Sequence, residues 1–503
     1  MFSNIICAAL CGMGVIPVQI QADISNGFPS YTMVGYLSSE VRESRERVTA
    51  ALKNCGYRIP AKRITVNLAP ADFRKGGTAF DLPVAVAILT SLGALSKDDV
   101  ADIAIFGELS LDGTVLPVRG ILPMVNGLLK EGVKRFIIPE GNSGEGRLIK
   151  DAEVWCAGRL DDVPLILAGK KERLEACDVS VNTPEYEEDI SDIESQSVLK
   201  RGLEIAAAGR HSFLMVGPPG AGKTMTAERI RSILPEMSGQ EVLEVSEIYS
   251  AAGLLPAGGM ITERPFRAPE PSVSERTVTG AGHLPVPGEI SLAHRGVLFM
   301  DEMEEFRPAV LDAVRKTLEE KFIAATVNRR SAGFPCDYML IGAMNPCRCG
   351  YYPDRNKCVC SRREIELYRR KISGPLLDRI DMTLAVENVR ISDTGAKTGV
   401  SSAELRDNVK RAWDIQRERG YRGGDSNSSM TQADIKKHCA FTADAESMLT
   451  LLAAKKDLSM RGMSRVVKVS RTIADLAGSS IIDTEHVAEA FSYRGITTDF
   501  WRI

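Results

Sequence analysis

The stretch HSFLMVGPPGAGKTMTAERI, residues 211–230, decides the fold of this chain. It joins a short apolar run, Phe213–Val216, to a glycine-rich loop that matches G-x-x-x-x-G-K-[ST], and then to a helical run. The glycines of such a loop let main-chain N–H groups turn inward around an anion, and the start of the next helix adds its own unpaired N–H groups. Strand, loop and helix together predict a nucleotide-phosphate site in a parallel α/β domain.

The residues of this loop have expected roles in binding ATP. Lys223 is expected to bridge the β- and γ-phosphates, and the Thr224 hydroxyl is expected to hold Mg²⁺. The other loop residues that we expect to contact the nucleotide are Gly217, Pro218, Pro219, Gly220, Ala221 and Gly222.

A second apolar run, Gly296–Met300, ends in two acidic residues, Asp301 and Glu302. In an open α/β sheet, ligands bind at the carboxyl ends of the strands. Asp301 is therefore expected to support the magnesium ion through its waters. Glu302 is expected to orient and polarise the attacking water, which makes the site an ATPase site and not only a binding site.

Two more polar residues are candidates for acting on the γ-phosphate. Asn345 follows a third apolar run, Tyr338–Ala343, and could hydrogen-bond the attacking water, or it could be an ordinary turn residue before a proline. Arg379 lies in GPLLDRID, and a guanidinium suits the charge that develops on a transferred phosphoryl group. If the neighbouring subunit supplies Arg379, the ATPase is an oligomer. The alternative is a surface arginine paired with Asp378 or Asp381.

Four cysteines crowd into MNPCRCGYYPDRNKCVCS, directly after the third run: Cys347, Cys349, Cys358 and Cys360. Soft thiolates select zinc, and four of them close a tetrahedral structural site. Structural Zn²⁺ is the leading interpretation, and free thiols or redox disulfides are the alternatives. The remaining cysteines are scattered through a long chain, which indicates reduced thiols and a cytoplasmic protein.

The composition predicts several domains and no membrane partner. Apolar content of 44% and charged content of 26% are those of a globular protein. The first twenty residues are apolar, but no Lys or Arg precedes the run and glycines interrupt it, so a β-hairpin is expected rather than a signal peptide.

The expected regions are an α/β domain (1–180), a solvated acidic linker (181–196), an α/β core (197–392), a second linker (392–402) and an all-helical domain (402–503).

The motifs GPPGAGKT, GEISLAHRGVLFMDE, MNPC-x-C-G and LLDRID, in this order, resemble the YifB/ComM group of magnesium-chelatase-like AAA+ ATPases. The resemblance covers nearly the whole chain. It implies an S5/Lon-protease-like N-terminal domain, an AAA+ core, a C-terminal helical lid and a homo-oligomeric, hexameric ring. A competence-associated member of the group is described as a DNA helicase that promotes branch migration. Arg461 matches the second sensor arginine of the family, acting in its own subunit or on a neighbour.

The chain departs from the family pattern at one place. Where the family has R-x-P-H-H-T, Arg267–Val273 reads RAPEPSV, with Glu270 and Pro271 in place of two histidines. If those histidines touch a partner, this protein contacts that partner differently.

The first domain also resembles the Lon protease fold, through KGGTAF and GELSLDGTVLPVRGILP. That family uses a serine nucleophile activated by a lysine, but here Thr78 and Leu122 occupy the two positions. Leucine cannot accept a proton. The resemblance therefore implies a fold without proteolysis, whose present role is either positioning the ring or binding nucleic acid.

A net charge of −3 means that a DNA partner needs a local basic surface. Arg329 and Arg330, at the tip of an expected β-hairpin, would form a basic ring in six copies. The alternative is a solvated hairpin tip without a partner. The glycine- and proline-rich stretch Ser250–Ser291, which resembles the family's channel-facing insertion, adds three further candidates: Arg267, Arg276 and His283. The leading function is an ATP-driven motor on DNA. The alternatives are a protein-remodelling or metal-cofactor-assembly ATPase and a nucleotide-binding scaffold.

Overall fold

The computed structural model describes residues 2–177, 186–193, 196–256, 258–280, 285–327, 330–387, 399–422 and 424–494; of residues 325–327, 330 and 331 it describes only the backbone. Arg329, His283 and most of the expected second linker lie outside the described residues.

The N-terminal region is a mixed α/β unit. Its strands are β1 (Phe2–Cys11), β2 (Gly14–Ser25), β3 (Ser30–Val34), β4 (Arg63–Ala69), β5 (Ile103–Ile105), β6 (Glu108–Leu109), β7 (Val115–Leu116), β8 (Arg135–Pro139) and β9 (Glu153–Ala157). Its helices are α1 (Ser39–Asn54), α2 (Asp81–Leu92), α3 (Lys97–Val100), α4 (Ile121–Lys130), α5 (Ser143–Gly146) and α6 (Asp162–Leu167).

Seven of these strands form one sheet in the order β3-β4-β2-β1-β5-β8-β9. The first twenty residues form the predicted hairpin, in which β1 and β2 pair along their whole length and Gly12 turns the chain at φ +64°. Buried residues alternate with half-buried ones along β4, and α2 is buried over nearly its whole length. Both elements supply the core of this unit.

The second unit is the α/β core that the phosphate-loop pattern predicts. Its strands are β10 (Phe213–Val216), β11 (Phe266–Arg267), β12 (Val297–Met300), β13 (Phe322–Val327), β14 (Arg330–Pro335), β15 (Met339–Met344) and β16 (Met382–Ala385). Its helices are α7 (Ser197–Gly209), α8 (Lys223–Arg229), α9 (Gly239–Ala252), α10 (Glu275–Thr279), α11 (Glu289–Leu292), α12 (Pro308–Glu320), α13 (Arg362–Arg369) and α14 (Gly374–Leu377).

Five strands of the core form a parallel sheet in the order β11-β12-β15-β10-β16. The three central strands, β12, β15 and β10, are buried on both faces, as parallel strands covered by helices are. Phe213 and Met215 face one apolar cluster, and Leu214 and Val216 face the other. The two remaining strands, β13 and β14, form a separate antiparallel hairpin, as the sequence predicts.

The C-terminal region is helical, as expected, with helices α15 (Ser402–Arg419), α16 (Gln432–His438), α17 (Ala443–Lys455), α18 (Met460–Leu476) and α19 (Thr484–Ser492). Serine or threonine side chains cap most of these helices; Ser401 accepts from the backbone N–H of Glu404, for example. The helices share one apolar cluster with α7 and β10, so this region packs directly on the core.

The prediction of a solvated acidic linker is wrong for its described residues, 186–193. Ile190 is fully buried in the cluster beneath the helical region. The acidic side chains are used for binding: Asp189 accepts from the backbone N–H of Ser402, and Asp192 pairs with Arg229 at 3.0 Å. The acidic run therefore fastens the core to the helical region.

The N-terminal unit is attached to the core through α9. The Ser250 hydroxyl donates to the buried Glu145 carboxylate at 2.5 Å, and the Asn126 amide donates to Glu247 at 2.7 Å. Burial raises the pKa of Glu145 even though Ser250 and the backbone N–H of Leu122 donate to it. Across the described residues, helices long and apolar enough to cross a bilayer are absent.

Candidate nucleotide site and cysteine cluster

The phosphate loop follows the carboxyl end of β10 and leads into α8. Gly220 and Gly222 have φ values of +77° and +78°, a region that side chains other than glycine adopt at a cost. A Cβ on Gly217 would lie 2.3 Å from the carbonyl oxygen of Val386, so the first glycine is needed for close approach. The loop is thus shaped by its glycines, as the sequence predicts.

Lys223 points its ammonium group into this loop. Its Nζ donates to the carbonyl oxygens of Gly217 at 2.8 Å and Pro218 at 2.9 Å, and to the Asn345 amide oxygen at 3.2 Å. Desolvation lowers the pKa of Lys223, and the charges of Asp301, Glu304 and Glu302 oppose that shift. The structure therefore brings the loop lysine together with Asn345, the candidate for hydrogen-bonding the attacking water.

An oxygen-donor pair lies beside the lysine. The Thr224 hydroxyl donates to Asp301 Oδ2 at 2.7 Å, and Asp301 Oδ1 accepts from the backbone N–H of Glu302 at 2.9 Å. Hydroxyl and carboxylate oxygens are the ligands that Mg²⁺ prefers, so these two residues fit the ion that ATP carries. Glu302 has a left-handed backbone, φ +47°, and its side chain is exposed next to this pair.

A third carboxylate, Glu304, supports the site from below. It is buried, and it accepts from the Tyr368 hydroxyl at 2.5 Å and from the backbone N–H of Asn345 at 3.2 Å. Burial raises the pKa of Glu304, and these two donors oppose the shift. Sequence reasoning missed this residue, although DEMEE, which continues past Asp301 and Glu302, contains it.

Arg379 lies near the amino ends of the parallel strands, whereas the phosphate loop follows their carboxyl ends. Because β10 and β16 are parallel, the loop follows the carboxyl end of one strand while Arg379 precedes the amino end of the other. The four residues of β16 span roughly 13 Å. Arg379 therefore does not reach the nucleotide site of its own chain.

The partner of Arg379 is not one of the two aspartates considered from the sequence. Its Nη2 donates to Glu319 at 2.7 Å, and its Nη1 donates to the carbonyl oxygen of Pro375 at 2.8 Å. Asp381 instead accepts from the backbone N–H of Ser212. Sequence reasoning missed Glu319 because it is 60 residues away along the chain.

Arg461 lies on the same side of the molecule as Arg379. It is exposed near the start of α18, where Ser459 donates to Asp378 at 3.4 Å. The pKa of Glu319 is lowered chiefly by the hydrogen bond from Arg379, against the effect of burial, and Arg461 adds to the lowering. The two arginines thus lie around the Glu319 carboxylate, away from the phosphate loop of the same chain.

The four cysteines converge as the sequence predicts. All four Sγ atoms lie within 4.8 Å of one another, with Cys347 at 3.4 Å from Cys349 and 3.8 Å from Cys358. Zn–S bonds of about 2.3 Å require sulfur atoms roughly 3.8 Å apart, so the set fits a tetrahedral ion. Burial raises the pKa of the Cys349 thiol, but hydrogen bonds from the backbone N–H of Tyr351 and from neighbouring thiols outweigh burial and lower it to about 6.

The arginines that are candidates for binding nucleic acid differ in exposure and in their ion pairs. Arg276 is exposed on α10. Arg267 forms a two-fold ion pair with Glu289, at 2.7 and 2.8 Å, so its charge is already neutralised. Arg330 is the first residue of β14 and pairs with Val327 of β13, and Arg329 falls outside the described residues. Glu270, in place of a family histidine, is exposed.

The two positions that match the protease dyad differ in environment. Thr78 is half-buried and lines a cavity of about 430 Å³ between the N-terminal unit and the core. Leu122 is fully buried in the apolar core of the N-terminal unit. Arg119 and Glu108 also line the cavity, but neither occupies the position of the family lysine.

A parallel sheet with a glycine loop after one strand, an acidic pair after another, an asparagine after the strand between them and a helical domain beside them define a P-loop ATPase of the AAA+ type. Comparisons with known proteins agree with that class. Three family models match the chain: Subunit ChlI of Mg-chelatase over residues 20–142, Magnesium chelatase, subunit ChlI over 189–394, and Magnesium chelatase, subunit ChlI C-terminal over 399–494.

Similar proteins span nearly the full chain. The chain is 38% identical over 493 residues to the protein YifB of Escherichia coli (strain K12), which covers 97% of this chain and 96% of the relative. It is 38% identical over 487 residues to Competence protein ComM of Haemophilus influenzae; the matched part is 95% of this chain and 94% of the relative. It is also 29% identical over 150 residues to Archaeal Lon protease of Pyrococcus abyssi, which covers 28% of this chain and 15% of the relative. The chain belongs to the YifB/ComM group of magnesium-chelatase-like AAA+ ATPases.

Proposed function

We propose that this protein is a ring-forming, Mg²⁺-dependent ATPase that drives movement on DNA of the branch-migration or helicase type. The observation that carries the proposal is the position of Arg379. It lies at the amino end of β16, while the phosphate loop lies at the carboxyl end of the neighbouring strand β10. A complete hydrolysis site then needs two subunits, and a closed ring is the arrangement in which every subunit has a neighbour.

The residues of one subunit bind the nucleotide and prepare the water. Lys223 and the loop amides hold the phosphates, and Thr224 and Asp301 hold Mg²⁺, which neutralises charge on the phosphates when bound. Glu302 orients and polarises the attacking water, and Asn345 hydrogen-bonds it. Asn345 is suited to this role because its backbone is fixed by Glu304 and its side chain already meets Lys223.

The next subunit completes the site. Arg379 is a finger that stabilises the charge on the transferred phosphoryl group, a role worth roughly 10³ to 10⁵ in rate in other P-loop enzymes. Arg461 also acts on the neighbour's nucleotide, because it lies near Glu319 on the same side of its subunit as Arg379. The domain limits at 1–180, 197–392 and 402–503 assign the phosphate loop to the core and Arg461 to the helical lid.

DNA is the proposed polymer because of kinship and because of the β13–β14 hairpin. The relative from Haemophilus influenzae is named a competence protein. In a ring, the paired arginines at residues 329 and 330 would follow phosphates without reading bases. The four cysteines hold a structural Zn²⁺ in this proposal, which fixes a loop of low apolar content beside the phosphate loop.

The test measures ATP turnover with and without single-stranded and forked DNA. We expect stimulation by DNA, and weaker DNA binding with a flatter salt dependence when Arg329 and Arg330 are both changed to glutamate. K455E is the control variant, since Lys455 is an exposed cation on α17 and is not a nucleic-acid candidate. ATP turnover that no DNA changes, together with binding to a protein, would replace the motor by a remodelling ATPase.

A further inference from the structure

Arg379 is held by the subunit that owns it. Its side chain is only 10% exposed, and its two terminal nitrogens are bonded to Glu319 and to the carbonyl oxygen of Pro375. A guanidinium neutralised by a carboxylate cannot give its full charge to a phosphate, because the two anions compete for the same N–H groups. The ion pair of Arg379 with Glu319 is therefore an obstacle to the role in hydrolysis proposed above.

Glu319 is placed where the β13–β14 hairpin begins. It is the second-last residue of α12, and only Glu320 and Lys321 separate it from β13. Lys321 ends the helix with φ +51°, and its ammonium group lies 3.0 Å from Asp337 Oδ1, just beyond β14. The backbone N–H of Cys336 donates to the carbonyl oxygen of Lys321, also at 3.0 Å. Lys321, two residues after Glu319, thus contacts Cys336 and Asp337, which follow the second strand of the hairpin.

The other end of α12 lies near the nucleotide site of the same subunit. The helix begins at Pro308, after a short 3-10 turn at Met303–Glu305 that follows Glu302 directly. Its 13 residues span about 20 Å. One rigid helix therefore runs from the carboxyl edge of the sheet, where ATP binds, to the opposite edge, where Arg379 is held for the neighbour.

We propose that Glu319 is a positioning residue that withholds Arg379 from the neighbouring subunit's ATP until displacement of the β13–β14 hairpin moves the end of α12. The inference rests on the proposed function, in which the hairpin contacts DNA and Arg379 acts between subunits. It adds the means by which contact with DNA changes the rate of hydrolysis. The simple alternative is that this is one more ion pair, without a role in hydrolysis.

The experiment compares the parent with E319Q and with a matched control, E320Q, which removes the neighbouring exposed carboxylate. We expect E319Q to hydrolyse ATP several-fold faster than the parent without DNA, through kcat with KM for ATP unchanged, because the finger acts on charge that develops only in the transition state. DNA should then stimulate E319Q less than it stimulates the parent. E320Q should behave as the parent does.

A double variant shows whether the effect passes through the arginine. E319Q/R379A should have the low turnover of R379A alone, since without the guanidinium there is nothing to release. A gain in E319Q that survives R379A overturns the proposal, as does a DNA-free kcat for E319Q at or below that of the parent. Should E319Q fail to assemble, E319D, which keeps the charge but shortens the side chain, supplies the same comparison with a smaller expected gain.

The outcomes also separate this inference from the proposed function. If no DNA stimulates ATP turnover by the parent, DNA is not the trigger. Faster DNA-free turnover by E319Q would then still support the restraint of Arg379 by Glu319. A parent that DNA stimulates, paired with an E319Q variant of unchanged DNA-free rate and unchanged stimulation, refutes the restraint alone.

Discussion

Gly350 of the cysteine loop lies directly against Pro219 of the phosphate loop. A Cβ on Gly350 would meet Pro219 Cδ at 2.5 Å and Cγ at 2.8 Å, closer than carbon atoms approach without displacement. The cluster of four cysteines and the nucleotide cradle are therefore in contact, and the geometry of one constrains the other.

The first prediction concerns this contact. G350A should weaken ATP binding by roughly tenfold, about 1.4 kcal/mol, because the added methyl group pushes Pro219 out of position. Isothermal titration with an ATP analogue measures the change. The matched control is G56A. Gly56 has a φ of +82°, close to the +85° of Gly350, but a Cβ on Gly56 would meet nothing within 4 Å. If G56A weakens binding equally, backbone strain explains the result and the contact does not.

The second prediction is complementation between subunits. K223A should fail to bind ATP and R379A should bind it but hydrolyse it slowly. Mixed rings should recover activity that neither variant has alone, because a K223A subunit can lend its Arg379 to a neighbour with an intact loop. ATP turnover across mixing ratios measures this. Turnover that only falls in proportion to dilution would place Arg379 in its own site.

The third prediction concerns the metal. Purified protein should carry about one zinc per chain, and C347S should lose it, since three thiolates do not close the tetrahedral site. Elemental analysis gives the zinc content, and C55S is the control because Cys55 lies outside the cluster. Zinc near zero, with turnover intact after treatment with a chelator, would leave free thiols as the better interpretation.

Local pattern predicted much of this architecture. The phosphate loop and the three apolar runs form within a few residues of their expected limits, and the described part of 402–503 is helical as expected. Each of these features depends on nearby sequence: glycine spacing, apolar runs and helix caps. The convergence of the cysteines was also predictable, since the two C-x-C pairs lie within fourteen positions of each other.

Partners that are distant along the chain were not predictable. Glu319 faces Arg379 only because α12 crosses from one end of the parallel strands to the other. Glu304 meets Tyr368 only because α13 returns to the turn that follows β12. The acidic segment around Ile190 was mistaken for linker because its charge pattern does not reveal the arginines of α8 and the following turn that neutralise it. In each case tertiary packing decides, and a single sequence carries no record of it.

A fourth prediction follows from Leu122. The protein should not cleave casein or unstructured peptides, with or without ATP, because the side chain at the position of the family lysine is a buried leucine that cannot activate Thr78. Cleavage is followed by gel electrophoresis of the substrate, with a Lon protease as the positive control. Casein cleavage that T78A abolishes would show that another base serves the threonine.

The last prediction is the dependence of stability on pH at Asp337. This carboxylate lies within 3.2 Å of Arg210, Arg295 and Lys321. Burial raises its pKa, but the three cations outweigh burial and hold the pKa well below the ordinary value of about 3.9. Its contribution to folding is thus fully present above that value and is lost as the pH falls below about 4. D337N should lower the free energy of unfolding at pH 7 by about 3 kcal/mol, because it leaves three cations without their shared anion.

Urea unfolding of the parent and D337N across pH 3 to 7 measures this difference. The gap between them should narrow as the pH drops below about 4, because Asp337 of the unfolded parent takes up a proton there while the carboxylate of the folded parent stays charged. D98N is the control, since Asp98 is exposed on α3. A gap that stays constant over the whole range would mean that Asp337 stabilises the fold through its shape and hydrogen bonds and not through its charge.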